Sequence, residues 1–212
     1  MKKFLFGIAL AAVFAVAQAS ADVIVYYNFN AATTTANTGS AISTLSNFNP
    51  ASAALTFPTG STLNAEGADI AGNAVSQNNW NNAGSPAYFQ FTLDATGYTD
   101  LIVSFWEQKS STGPSPVDFL YSDDGGSSFT SFASLTASNA PGNLHSVDLT
   151  SVTALNGQSD LVFRIRAGNA SSASGTFRID NLKVDATIIP EPSTMMLVGA
   201  GLVGVWMLRR RS

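Results

Sequence analysis

The chain has 212 residues, no cysteine, one histidine, and ten Lys and Arg against fourteen Asp and Glu. Without cysteine there are no disulfides and no thiolate metal sites, so a hydrophobic core must supply the stability, and this length is enough to bury one. Residues 22–189 hold five basic side chains against thirteen acidic ones, a formal charge of −8, which excludes nucleic acid as a partner because phosphate binding needs a basic footprint.

Lys2 and Lys3 precede an apolar stretch over 4–16, and Ala19-Ser20-Ala21 gives a small-x-small pattern before Asp22. This predicts a secretory signal peptide over 1–21, cleaved at Ala19 and Ala21, with a mature chain starting at Asp22. Residues 31–50, rich in Thr, Ser, Ala and Asn, read as a long surface loop. Trp80 follows in the amide-rich stretch 77–82. One flat ring among amides is a way to hold a sugar, by stacking on the ring and hydrogen-bonding the hydroxyls. That makes Trp80 a candidate ligand-binding residue; in the alternative reading it pins a long loop. Trp106 and Tyr88 offer a second platform, unless Trp106 fills the core.

From residue 87 onward the dominant period is two. Phe89, Phe91 and Leu93 alternate with Tyr88, Gln90 and Thr92; Leu101, Val103 and Phe105 alternate with Ile102, Ser104 and Trp106. The same alternation runs through Val117, Phe119 and Tyr121, through Val147 and Leu149, and through Leu161, Phe163 and Ile165. Short strands separated by Gly, Pro, Asn and Ser predict an all-β fold, an antiparallel β-sandwich of jelly-roll topology over 22–188. Ser122, Asp124, Gly126 and Phe129 match the Ser-x-Asp-x-Gly-x-x-aromatic spacing of an Asp-box, which resembles a hairpin turn held by its aspartate. It reads as structural. His145 has no second imidazole or cysteine to form a triad or zinc site, and no clustered carboxylate pair or Gly-x-Ser-x-Gly elbow appears, so the expectation is a protein that is not an enzyme.

In 175–184 the apolar phase slips by one at Asp180-Asn181, between Phe177, Ile179 and Leu182, Val184. A β-bulge explains the slip. The string 176–182 resembles the closing strand of jelly-roll domains related to carbohydrate-binding modules. That resemblance implies a structural calcium ion at Asp180, with main-chain oxygens near Asn28 or Asn30 as partners. The other reading is a bulge residue bonded to backbone.

The C-terminal stretch orders Pro190-Glu191-Pro192, an apolar run over 195–208, and Arg209-Arg210-Arg211. As a helix the run would rise about 21 Å against a hydrocarbon core of about 30 Å, a marginal transmembrane span. The arginines would stay on the cytoplasmic side and leave the rest outside. An ordinary C-terminal anchor shares these features, but the residues over 189–212 resemble the PEP-CTERM sorting signal of exported bacterial proteins. The resemblance implies an exosortase as partner and Pro190, Glu191, Pro192 and the three arginines as the sorting and processing determinants. It implies export across the inner membrane, transient anchoring there, and arrival at the cell surface or extracellular matrix. The expected role is structural or adhesive in an exopolysaccharide-rich envelope; the alternative is a non-catalytic carbohydrate-binding module.

Overall fold

The computed structural model describes residues 21–39, 44–51 and 53–189. The signal peptide up to residue 20 and the tail from Pro190 lie outside the described residues. The described residues form eleven strands: β1 (Ala21–Tyr27), β2 (Thr38–Gly39), β3 (Ser46–Phe48), β4 (Val75–Gln77), β5 (Ala87–Leu93), β6 (Tyr98–Lys109), β7 (Val117–Ser122), β8 (Thr130–Leu135), β9 (Asn143–Asp148), β10 (Leu161–Ala167) and β11 (Phe177–Ile188). One 3-10 turn, Thr153–Leu155, is the sole helical element among the described residues.

Two antiparallel sheets face each other. One runs β2-β1-β11-β6-β9, with β4 paired to the start of β11, and the other runs β3-β5-β10-β7-β8. From β5 onward the chain shuttles between them: β5, β7, β8 and β10 lie in the five-stranded sheet, and β6, β9 and β11 in the six-stranded one. With β1 beside β11, these eight strands form two interleaved four-stranded Greek keys, the jelly-roll arrangement expected from the alternation.

The period of two sorts side chains as it should. Phe89, Phe91, Leu93, Leu101, Val103, Phe105, Phe119, Phe163 and Ile165 are all buried. Their rings interlock across strands, with Phe91 and Phe163 centroids 5.2 Å apart and Phe119 and Phe163 5.9 Å apart. Each fully buried Phe or Leu contributes about 1.5–3 kcal/mol of transfer free energy. The slip before Leu182 is a bulge, seen as a register shift between Asp180 and Lys183 against β6. It lets the 12-residue β11 keep one apolar face inward on both sides of the break.

Three placements differ from the sequence reading. Residues 31–50 are not all loop, since β2 pairs with β1 and β3 with β5; these two short strands lack the alternation that would announce them. β8 (TSFASL) was also silent, because an edge strand with one face against the sheet and a ragged exposure pattern carries little periodicity. Trp106 is buried but not between the sheets. It points outward from β6 beneath the turn at Gly142, where its Nε1 donates to the Pro141 carbonyl at 3.2 Å.

Strand directions give the sandwich two unlike poles. At the tail pole lie the end of β11 and the start of β6, joined by Ile189 N–H to Gly97 O at 2.8 Å, and the start of β1, where Ala21 pairs with Thr187. The hairpin after β7 reaches the same pole through Gly125 N–H to Asp160 O. At the opposite pole lie the starts of β5 and β11 and the end of β10.

Candidate functional site

The outward residues of the five-stranded sheet form its most differentiated surface. Cross-strand pairing sets Phe48 beside Tyr88 and Tyr88 beside Arg166, with Gln90 beside Arg164 in the next row. Phe48 and Tyr88 stack with centroids 5.3 Å apart and planes 22° apart. The Arg164 guanidinium lies 4.1 Å from the Tyr88 ring centre and 3.6 Å from that of Phe129. Its Nε donates to Gln90 Oε1 at 2.6 Å. Four planar groups thus stand against one another along the sheet. Phe48, at the edge strand, is 42% exposed and offers the stack's solvent-facing ring. Partial burial lowers the Arg164 pKa without taking it out of the charged range, while Arg166 is paired with Asp118 at 3.2 Å.

Phe129 reaches Arg164 because the hairpin before it folds over the sheet. Asp124 accepts from the Ser122 hydroxyl at 2.6 Å and from Ser128 N–H and Oγ at 3.0 and 2.6 Å, and those bonds hold its carboxyl well below the usual range. Gly125 and Gly126 take φ of +70° and +90°, which side chains with a Cβ rarely adopt. The Asp-box match is therefore a structural hairpin whose aromatic residue completes the stack.

Trp80 does not serve as the predicted sugar platform. It is 0% exposed, with Phe89 and Phe177 packed edge-on at 5.2 and 5.4 Å and its Nε1 donating to Gln77 O at 2.8 Å. A large apolar ring next to a half-finished core gains more by burial than by exposure, so the ring turns inward while its asparagine neighbours turn out. Asn79, Asn81 and Asn82 line a cleft of about 350 Å³ with Pro50 and Ala51.

Asp180 lies in the bulge, 0% exposed. Its Oδ2 accepts from Ser61 N–H and its Oδ1 from Asn181 N–H, both at 2.8 Å. Burial pushes its carboxyl up to about 7, with the Asp69 charge adding to the effect. Asn181, at φ +49°, donates to Ser61 O and Leu63 O at 2.7 and 3.0 Å, which ties the 61–64 loop to the bulge. The Tyr26 hydroxyl lies 2.8 Å from Asn181 Oδ1 and 3.1 Å from Asp69 Oδ2. Asn28 and Asn30 follow β1, whose last ladder pair is Tyr27 with Leu182. Their side-chain amides donate to Asp69 at 2.6 and 2.9 Å, and Asn30 O accepts from Asn73. At Asp69 burial opposes ionisation, but these bonds outweigh it and lower the pKa. No three His, Cys, Asp or Glu side chains converge among the described residues. Asp180 nevertheless fits a divalent ion in one respect: it is a buried carboxylate with no ion-pair partner there. The rest of a six- to eight-oxygen shell would come from carbonyls, amides and water.

His145 packs against Phe105 at 5.5 Å and sets Nε2 3.5 Å from Glu107 Oε1. Neither candidate surface includes it. Sequence reasoning missed Phe48, Gln90, Arg164 and Phe129 as a group. Its available signal was the run of polar and aromatic positions on the outward phase of β5 and β10.

Several solved structures resemble this fold. The CBM22-1 xylan-binding domain from Paenibacillus barcinonensis Xyn10C matches with 10% identity over 82% of this chain and 100% of its own, at a TM-score of 0.47. The tandem CBM22-1-CBM22-2 domain of that protein matches with 10% identity over 84% of this chain and 48% of its own, at 0.49. A variant of CBM29-2 complexed with mannohexaose matches with 11% identity over 79% of this chain and 92% of its own, at 0.47. A search of curated proteins finds no match. The family model described as the PEP-CTERM protein-sorting motif matches residues 189–211, so the chain carries that motif directly after β11 and is an exported protein.

Proposed function

We propose that this exported protein is sorted by an exosortase through its C-terminal motif and acts as a surface or matrix protein in an exopolysaccharide-rich envelope. Its adhesive contact is the outer face of the five-stranded sheet. The supporting observation is the half-exposed Phe48 ring, backed by Tyr88, Arg164 and Phe129. A ring fixed in this way loses little freedom on binding and can meet the C–H face of a sugar. Gln90, one row along, and Arg166, on the far side of Tyr88, share that face of the sheet to meet hydroxyls. The role is binding rather than catalysis. Before processing, the inner membrane holds the chain through 195–208, with Arg209, Arg210 and Arg211 on the cytoplasmic side.

Glycan-array binding of the full chain and of Phe48→Ala tests the contact. The expected result is selective binding to one polysaccharide class that falls at least about tenfold in the variant, as for loss of a central aromatic anchor. An array without signal, or signal untouched by Phe48→Ala, removes the glycan contact. A structural calcium ion at Asp180 belongs to the same proposal. It would neutralise the buried carboxylate and brace β11 against the 61–64 loop.

A further inference from the structure

We infer that a second binding site, for a neutral sugar, lies at the pole opposite the tail, in the cleft lined by Asn79, Asn81 and Asn82. It stands on its own observations and does not depend on the Phe48 surface. The loop that carries these amides is fixed from several sides. Trp80 anchors it in the core, Asn79 N–H donates to Ala173 O at 2.8 Å, and Trp80 O accepts from Ala170 N–H at 2.9 Å. Asn49 Nδ2 donates to Asn78 O at 2.8 Å from the strand-β3 side. Gly168 lets the backbone of Asn82 come close, since an added Cβ would sit 2.5 Å from Asn82 O. The burial that removes Trp80 as a sugar platform therefore fixes the backbone that carries its neighbours' amides.

The lining chooses the ligand class. The cleft, about 350 Å³, falls within the range of roughly 300–1,000 Å³ for small-ligand sites. Three amides and the apolar Pro50 and Ala51 line it, with no charged side chain. An amide both donates and accepts, as a sugar hydroxyl does, whereas a carboxylate only accepts and Lys or Arg only donates. Asn82 Oδ1 already accepts from Ser85 N–H at 3.2 Å, which leaves its NH2 for a ligand. Asn81 is exposed at the cleft wall.

Charge placement points the same way. Asp22, Asp94, Asp123, Asp124, Asp148 and Asp160 are exposed around the tail pole, and among the described residues that pole holds no Lys or Arg. Lys109, Arg166 and Arg178 lie toward the other end. Asp118, paired with Arg166, offsets part of that charge, so the cleft sits at the less acidic end, at the pole opposite Ile189.

The test titrates the full chain, in a sugar-free detergent, with cellohexaose, xylohexaose and mannohexaose and with a polygalacturonate hexamer, following the side-chain NH2 signals by NMR. The expected result is a shift of the Asn79, Asn81 and Asn82 signals with at least one neutral oligomer and none with the acidic one. Asn81→Ala should then weaken that oligomer about 3- to 10-fold, the value of one lost hydrogen bond. Gly168→Ala should weaken it too by displacing Asn82 while keeping every amide. A stronger response to the acidic hexamer overturns the neutral class. Shifts confined to β3, β5 and β10 overturn the cleft and leave the Phe48 surface standing. Silence with all three neutral oligomers overturns the site.

Discussion

Two residues change meaning between sequence and structure. Trp80 sits in a polar stretch, yet its ring is part of the core. Trp80→Ala should therefore cost about 3–5 kcal/mol, the usual range for a buried tryptophan, as read from chemical denaturation. Trp106→Ala should cost less, because the turn at Gly142 that covers it can settle into the space. Equal costs would mean that the turn is as rigid as the core. Asp180 gives a pH test. Its carboxyl is raised to about 7 in the folded state, against roughly 3.9 unfolded. The folded chain thus binds the extra proton between those values. The Asp180 contribution to stability in calcium-free buffer should be full below about pH 4 and be lost as pH rises from about 4 through about 7, by up to about 4 kcal/mol. Asp180→Asn should flatten that slope. Added calcium should restore the loss at neutral pH in the native chain and not in the variant; melting curves indifferent to both chelator and calcium would leave a hydrogen-bonded bulge alone.

The bulge is where element and residue meet. Asn181 at φ +49° spends its side chain on Ser61 O, Leu63 O and the Tyr26 hydroxyl, all within 3.0 Å. Asn181→Ala leaves two partly buried carbonyls without these donors and puts a less tolerant residue at positive φ, so a loss of about 2 kcal/mol is expected. Asn181→Gly relieves the backbone but not the bonds. The difference in melting temperature between the two variants therefore isolates the strain, and identical values would show there is none. The phase slip around Asp180-Asn181 announced the bulge in the sequence. The loop it captures, residues 61–64, was not announced, since the capture joins positions more than a hundred residues apart.

At the scale of the molecule, β1 and β11 put both ends of the sandwich at one pole, and one residue, Ile189, separates β11 from Pro190. If the two terminal segments are processed as proposed, intact-mass analysis of envelope material should find chains that begin at Asp22 and lack the arginine cluster. Replacing Glu191 or both flanking prolines should hold the precursor in the inner membrane. Recovery mainly of chains ending at Ser212 would refute sorting by cleavage. The expected cleavage point, between Ala21 and Asp22, falls inside the β1–β11 ladder, where Ala21 pairs with Thr187 and Asp22 with Ala186. Signal-peptide removal should therefore precede the docking of β1, and pulse-chase labelling would detect the reverse order.

The sequence by itself determined the export motif, the strand positions from 87 onward except β8, the jelly-roll class and the bulge. Those features are local: a motif is contiguous, an alternation is read within seven residues, and a phase slip within ten. The candidate surfaces were decided only by tertiary structure. Phe48, Tyr88, Arg164 and Phe129 come from three strands and a hairpin, and sheet register alone makes them neighbours. The direction of Trp80 was likewise beyond a local reading, because its ring is drawn inward by Phe89 and Phe177, one nine residues away and the other nearly a hundred. Burial is a property of the whole packed core, and a short polar context cannot report it.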